Sequence, residues 1–180
     1  MKNLLIIGFV WPEPNSTAAG SRMLQLIELF QKNAFTITFI CAASKSDKSL
    51  DLETLNIQTF DIQLNDSSFD ALVKEINPDF VLFDRFLTEE QFGWRVAENC
   101  PKTIRILDTE DLHFLRSARQ IAYQNNEKVT LKHLTNDLAK REIASIYRCD
   151  LSLIISKYEM KLLKKTFKID KSLLRYVPFY

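Results

Sequence analysis

Nine consecutive residues, Asp108-Thr109-Glu110-Asp111-Leu112-His113-Phe114-Leu115-Arg116, gather three carboxylates, an imidazole and a guanidinium directly behind the apolar run Thr103-Ile104-Arg105-Ile106-Leu107. A short β-rich run that ends abruptly in charge reads as a buried strand delivering polar groups to its C-terminal edge. In open α/β sheets ligands bind at that edge. The segment is therefore the first place to look for chemistry.

Its side chains admit more than one use. Asp108, Glu110 and Asp111 fit a general base pair, a cation site, or caps for the next helix, and capping is the commonest role of acids that precede a helix. A metal site needs tighter convergence than three neighbouring acids guarantee, so no metal is expected. Arg116 and Arg119 lie one helical step apart and can present two guanidinium groups on one face, suited to a phosphate or carboxylate. Ion pairing with Glu110 or Asp111 is the competing use of these arginines. Of the two histidines, His133 falls in a helical pattern and reads as solvent-facing or packed, which leaves His113 as the candidate, against a purely structural, hydrogen-bonded role.

A second candidate lies near the N-terminus. Only Gly8, Gly20 and Gly93 occur, so neither G-x-G-x-x-G nor the Walker pattern can be written, and a standard dinucleotide site and a P-loop are excluded. The first apolar run leads instead into a longer loop, Trp11-Pro12-Glu13-Pro14-Asn15-Ser16-Thr17-Ala18-Ala19-Gly20-Ser21-Arg22. Its small residues let backbone approach a ligand, and exposed N–H groups at a helix start favour an anion such as phosphate. A proline-stiffened turn capped by Ser21 explains the same pattern.

The elements that must position these residues alternate along the chain. Apolar runs that look like buried strands span 4–10, 36–41, 57–62, 80–83, 103–107 and 151–155, with a short one at 174–177. Helical spacing links Met23, Leu26, Ile27 and Phe30. Asp66-Ser67-Ser68 is suited to cap a helix carrying Phe69, Leu72, Val73 and Ile76, which ends before Pro78. Thr88-Glu89-Glu90-Gln91 has the form of a capping box for a helix through Phe92, Val96 and Ala97. A longer amphipathic helix is expected over 131–147 and a last one over 156–167. Strands joined through helices require crossovers, which predicts a Rossmann-like, doubly wound, mostly parallel sheet of six or seven strands with helices on both faces.

With 180 residues, 46% hydrophobic and 26% charged, the chain suits one globular domain. A formal net charge of +1 gives no global pull toward nucleic acid, and no nucleic-acid partner is expected. The charge is unevenly spread: acids dominate from Asp47 to Glu90, while Lys157, Lys161, Lys164, Lys165, Lys168 and Lys171 crowd the last helical stretch. Such a run is either a solvated helix face or a surface for an anionic lipid or ligand. Cys41, Cys100 and Cys149 form no disulfide framework or zinc spacing, and the N-terminal apolar run is too short to span a membrane, so a cytoplasmic location is expected.

Three stretches together resemble the N-terminal domain of GT-B glycosyltransferases, and among them the group 1 retaining family. They are Pro12-x-Pro14 followed by Ala19-Gly20-Ser21-Arg22, the Asp108-to-Arg116 segment, and Ser156-Lys157-Tyr158-Glu159 with Leu162-Leu163 before Val177-Pro178. The resemblance covers nearly the whole chain. It implies that Gly20, with Ser21 and Arg22 beside it, faces a donor diphosphate, and that His113 faces the transferred sugar; His113, Asp111 and Glu110 are then the catalytic candidates. Asp108, Arg116 and Arg119 would complete the substrate-binding set.

The same resemblance implies a nucleotide-sugar co-substrate, no other cofactor, a sugar or lipid-linked acceptor, and a C-terminal donor-binding domain supplied in cis or in trans. Residues 1–180 then read as the acceptor-side domain alone, because the chain ends at Tyr180, near where the donor half with its E-x-x-x-x-x-x-x-E motif would begin; little turnover is expected from it in isolation. If the acceptor is lipid-linked, the basic stretch from Lys157 to Lys171 suits a peripheral contact at the inner face of a membrane. Two other readings stand beside this one: a non-catalytic α/β binding module or acceptor-binding subunit, and a receiver-like signalling domain. The last ranks lowest, since Gly8-Phe9-Val10-Trp11 supplies no acid at the end of the first strand.

Overall fold

The computed structural model describes residues 2–179; Met1 and Tyr180 lie outside the described residues, and with them the expectation tied to the chain's end at Tyr180. The strands are β1 (Lys2–Gly8), β2 (Phe35–Cys41), β3 (Gln58–Asp61), β4 (Phe80–Asp84), β5 (Ile104–Asp108), β6 (Leu151–Ile154) and β7 (Leu174–Tyr176). Between them run α1 (Ala18–Lys32), α2 (Ser68–Ile76), α3 (Arg85–Asn99), α4 (His113–Gln124), α5 (Leu131–Leu134), α6 (Asp137–Arg148) and α7 (Lys157–Lys165).

All seven strands are parallel, in the order β3-β2-β1-β4-β5-β6-β7. The chain builds outward from β1 to β3, then crosses back to lay β4 on the other side of β1. The crevice between β1 and β4 is thus the switch point where ligands of open α/β sheets bind.

Burial on both faces explains the continuous apolar strands. In β1, Leu5 and Ile7 point into a core with Phe69 and Val73 of α2, Phe92 and Val96 of α3 and Leu163 of α7. Leu4 and Ile6 point the other way, onto Met23, Leu26 and Ile27 of α1. One helix thus covers one face and the remaining helices share the other. Each such buried aliphatic contributes about 1.5–3 kcal/mol, and truncating wholly buried Ile27 to alanine would cost roughly 2–5 kcal/mol. No helix among the described residues is long and apolar enough to cross a membrane.

Three local expectations are corrected. The first strand stops at Gly8 rather than Val10, because the Phe9 N–H leaves the ladder and donates to the Asp84 carboxylate at 3.0 Å. Thr88 caps nothing: α3 already starts at Arg85, Thr88 is buried inside it, and Glu89 and Glu90 instead pair with Arg148 and Arg141 of α6. The long helix over 131–147 is two, since Asn136 turns the chain and its side chain accepts from the Ala139 N–H at 2.8 Å, starting α6 afresh. The Asp66-Ser67-Ser68 group does meet the start of α2, through Asp66, which accepts the Ser68 N–H at 2.8 Å, while the Ser67 side chain makes no capping bond.

Candidate functional site

The C-terminal ends of β1, β4 and β5 bring three loops together. From β1 the chain enters the Pro12–Pro14 loop, held by the Trp11 indole donating to the Ala43 carbonyl at 2.7 Å and by the Leu50 N–H donating to the Pro12 carbonyl at 2.8 Å. Thr17 caps α1 by accepting the Gly20 N–H at 2.9 Å. Ser21 lies inside the first turn, and its hydroxyl donates to the Pro14 carbonyl at 2.7 Å. A Cβ on Gly20 would stand 2.4–2.5 Å from the Glu13 backbone.

Gly20 and Ser21 therefore serve the loop's own packing. Their expected contact with a diphosphate finds the Gly20 amide already bonded. The amides left without a protein partner at this helix start are those of Ala18, which is exposed, and Ala19, which is half-buried.

The next residue is bonded within the chain as well. Arg22 is 1% exposed and turned inward, where its Nε lies 3.1 Å from both Asp108 oxygens and its Nη2 lies 2.7 Å from Oδ1. Its Nη1 donates to the Val177 carbonyl at 3.0 Å, and Phe179 lies over the guanidinium at 5.4 Å. A bidentate pair of this kind satisfies both charges. Arg22 and Asp108, which the sequence reading assigns to substrate, tie α1, the end of β5 and the segment after β7 together in this structure.

Asp108 has a register partner, Asp84, at the end of β4. Burial pushes the Asp84 carboxyl up to about 6; Arg85 and the Phe9 N–H pull it down, while Asp108 and Glu110 add to the rise. Arg85 has φ 73° and Glu110 φ 59°, left-handed conformations that cost a non-glycine residue about 1 kcal/mol or more. The two face each other, Arg85 Nε standing 2.9 Å from a Glu110 oxygen without hydrogen-bond alignment, and the guanidinium stacks 4.9 Å over Phe9. Strain thus gathers where β1, β4 and β5 end.

Beyond Glu110 the chain is held by buried acids from other helices. Thr109 donates to the Leu153 carbonyl, and Leu112 donates its N–H to Glu159 at 3.0 Å. Glu159 belongs to the Ser156-Lys157-Tyr158-Glu159 motif, where Ser156 accepts the Glu159 N–H and donates to its carboxylate. Glu142 of α6 receives the N–H groups of His113 and Phe114 at 3.1 and 3.0 Å, which seals the start of α4. The capping of α4 is thus real, but the acids come from α6 and α7, not from Asp108, Glu110 or Asp111.

His113 is the half-buried centre of this arrangement. Its Nδ1 faces the Asp111 carbonyl at 3.1 Å and the Asp111 and Glu142 carboxylates at 3.5 Å each, and its ring meets Phe86 edge-on. A carbonyl only accepts, so the proton belongs on Nδ1 and Nε2 is left to bond a ligand. Burial pulls the His113 pKa down, but the Glu142 hydrogen bond and the Glu142 and Asp111 charges outweigh it, and the net shift is upward.

Glu110, Asp111 and His113 could each direct one atom toward a common cation, the atoms lying within 4.8 Å of one another. Glu110 faces Arg85, Asp111 Oδ2 faces Arg116 and His113 faces the Asp111 carbonyl, while Asp111 Oδ1, 3.5 Å from His113 Nδ1, is buried without a hydrogen bond. Arg116 is exposed and 3.5 Å from Asp111, the ion pair that competed with ligand binding in the sequence. Arg119 stacks on Tyr158 of α7 at 5.0 Å.

Sequence reasoning missed Asp84, Arg85 and Glu142. Asp84 ends an apolar run, as Asp108 does, and Glu142 stands four residues from both Leu138 and Ile146, a carboxylate on an apolar stripe. Both signals were legible. Nothing local announced the left-handed Arg85. A groove of about 540 Å³ opens at the same edge, between Pro14–Ser16 and Asp47–Asp51. A larger hollow of about 600 Å³, beside Lys2, Asp79 and Thr103, lies at the opposite edge of the sheet, away from these groups.

The sequence matches no protein-family model and no curated relative. Solved structures do match in fold. Sucrose-phosphate synthase from Thermosynechococcus elongatus aligns over 99% of this chain and 48% of its own, at 13% identity and a TM-score of 0.69. Glycyrrhiza uralensis UGT73P12, solved with glycyrrhetinic acid 3-O-monoglucuronide, aligns over 98% and 48%, at 14% identity and a TM-score of 0.59. The lipopolysaccharide outer core galactosyltransferase WaaB aligns over 97% and 44%, at 15% identity and a TM-score of 0.58. The chain therefore spans about half the length of these structures, and shares with that half a Rossmann-like α/β fold.

Proposed function

We propose that the chain is the N-terminal, acceptor-side domain of a GT-B glycosyltransferase. In this reading a sugar passes from a nucleotide-sugar donor to an acceptor with retention at the anomeric carbon, once a donor-binding domain closes over the cleft in cis or in trans. The observation that carries the reading is His113, with Nδ1 held by a carbonyl and Nε2 left for a ligand, at the C-terminal edge of a sheet shared with half of each matching structure.

The roles rest on geometry and chemistry together. His113 Nε2 bonds a hydroxyl of the transferred sugar. Asp111 and Glu110 orient that imidazole and the loop behind it, rather than taking up a proton. The free amides of Ala18 and Ala19, with the positive end of the α1 dipole, meet the diphosphate beside Gly20 and Ser21. Arg116 and Arg119 border the acceptor side, where an anionic acceptor group would pair with them.

A non-catalytic binding module is the second reading, and one observation favours it: Gly20, Ser21, Arg22 and Asp108 are all bonded within the chain. Release of nucleoside diphosphate from a panel of sugar nucleotides, measured on the longest natural form of the protein with mixed acceptors, separates the two. Donor-dependent release supports the transferase. Binding of sugars without release of any nucleotide supports the module.

A further inference from the structure

Helix α7 presents Lys157, Lys161, Lys164 and Lys165 to solvent, and Lys168, Lys171 and Arg175 continue the series to β7. From Lys157 to Arg175 there are seven cations and two acids, a net of +5 in a chain whose formal net charge is +1. One of those acids, Glu159, is buried and bonded to Ser156 and Leu112. The only lysines in ion pairs within 4.0 Å among the described residues are Lys32 and Lys140; the other acid, exposed Asp170, lies near Lys171, and the remaining cations of this face have no acidic partner at that distance.

The same face carries apolar matter. A shallow groove of about 350 Å³ between α7 and the edge strand β7 is lined by Met160 and Tyr176 together with the four lysines of the helix. Tyr158 is 54% exposed and Tyr176 39%. Beside the groove, Arg119 of α4 stacks on Tyr158 in the first turn of α7, so the arginines of α4 extend the basic strip to the margin of the His113 loop.

Lysines on long stems above half-exposed tyrosines and a methionine suit a planar anionic interface, where ammonium groups meet phosphates and the rings enter the headgroup layer. The remainder of the chain is net acidic, which turns the other surfaces away from such a plane. That polarity, with lysine rather than arginine making up α7, fits a lipid surface better than a nucleic acid. We propose that the α7–β7 face, prolonged by Arg116 and Arg119, docks on an anionic phospholipid bilayer. The inference holds whether or not the cleft transfers sugar.

Co-sedimentation with vesicles tests it. The wild-type chain partitions onto phosphatidylcholine vesicles enriched in phosphatidylserine, and far less onto phosphatidylcholine alone or at about 1 M salt, where screening is complete within about 3 Å. Lys161→Glu/Lys164→Glu lowers partitioning at least about tenfold, while Lys102→Glu/Lys128→Glu, the same charge change elsewhere on the surface, leaves it nearly intact. Thermal melts equal to wild type show that both variants are folded. Equal partitioning onto neutral and anionic vesicles overturns the proposal, as does equal loss in the two double variants. Binding of a DNA or RNA oligonucleotide in place of vesicles also overturns it.

Discussion

Arg22 and Asp108 are 86 residues apart in sequence, yet the Arg22 guanidinium grips the Asp108 carboxylate through three contacts of 2.7 to 3.1 Å, both side chains 2% exposed. Breaking such a pair leaves an uncompensated charge in the interior. Arg22→Ala should destabilise the fold by about 3–5 kcal/mol in urea titration, while replacing both partners with apolar residues of similar volume, Arg22→Met with Asp108→Leu, should cost much less. Equal losses in the single and double variants would show that packing, not charge, dominates the site.

Gly20 is needed for close approach. Because a Cβ there would meet the Glu13 backbone at 2.4 Å, Gly20→Ala should cost about 1–3 kcal/mol through displacement of the Pro12–Pro14 loop. Chemical denaturation reads the loss directly.

The buried acid at the end of β4 sets a pH dependence. Asp84 rises from 3.8 to about 6 on folding, so the native state holds its proton more tightly than the unfolded chain between those values. Stability should then fall as pH rises from about 4 to about 6, by on the order of 3 kcal/mol at one pKa unit per 1.36 kcal/mol. Asp84→Asn should make that slope shallower, leaving the part that buried Asp108, whose pKa is also raised, contributes. His113 acts in a separate window: its raised pKa stabilises the fold fully below 6.5, and the contribution is lost as pH climbs through the higher native value. His113→Asn should flatten the profile only there.

Glu142 holds two amides at the start of α4. Glu142→Ala leaves both buried donors empty and should cost about 2–4 kcal/mol, whereas Glu142→Gln, which keeps one accepting oxygen, should cost less. Hydrogen exchange at His113 and Phe114 should quicken in the alanine variant and localise the effect.

The sheet was legible because parallel strands buried on both faces must be apolar throughout, and each of the seven runs announced itself, the three-residue β7 included. The candidate loop was legible too, since charge cannot follow such a strand into the core. What the sequence hid was pairing. Whether Arg22 faces a ligand or Asp108 depends on a contact between distant positions that no local spacing encodes. The same holds for Glu142 and Glu159, whose partners are backbone amides of a different segment. Thr88 misled for a related reason: its local pattern satisfies a capping rule, but tertiary contacts start α3 four residues earlier, with Asp84 at the N-cap position.

The most direct test is the turnover of His113→Ala against wild type in the longest natural form of the protein, followed as nucleoside diphosphate released from its preferred sugar nucleotide. Loss of a hydrogen bond from Nε2 to the transferred sugar predicts a rate about ten- to hundredfold lower. Turnover equal to wild type would contradict a sugar-facing His113 and leave the Asp108–Arg116 loop a structural brace.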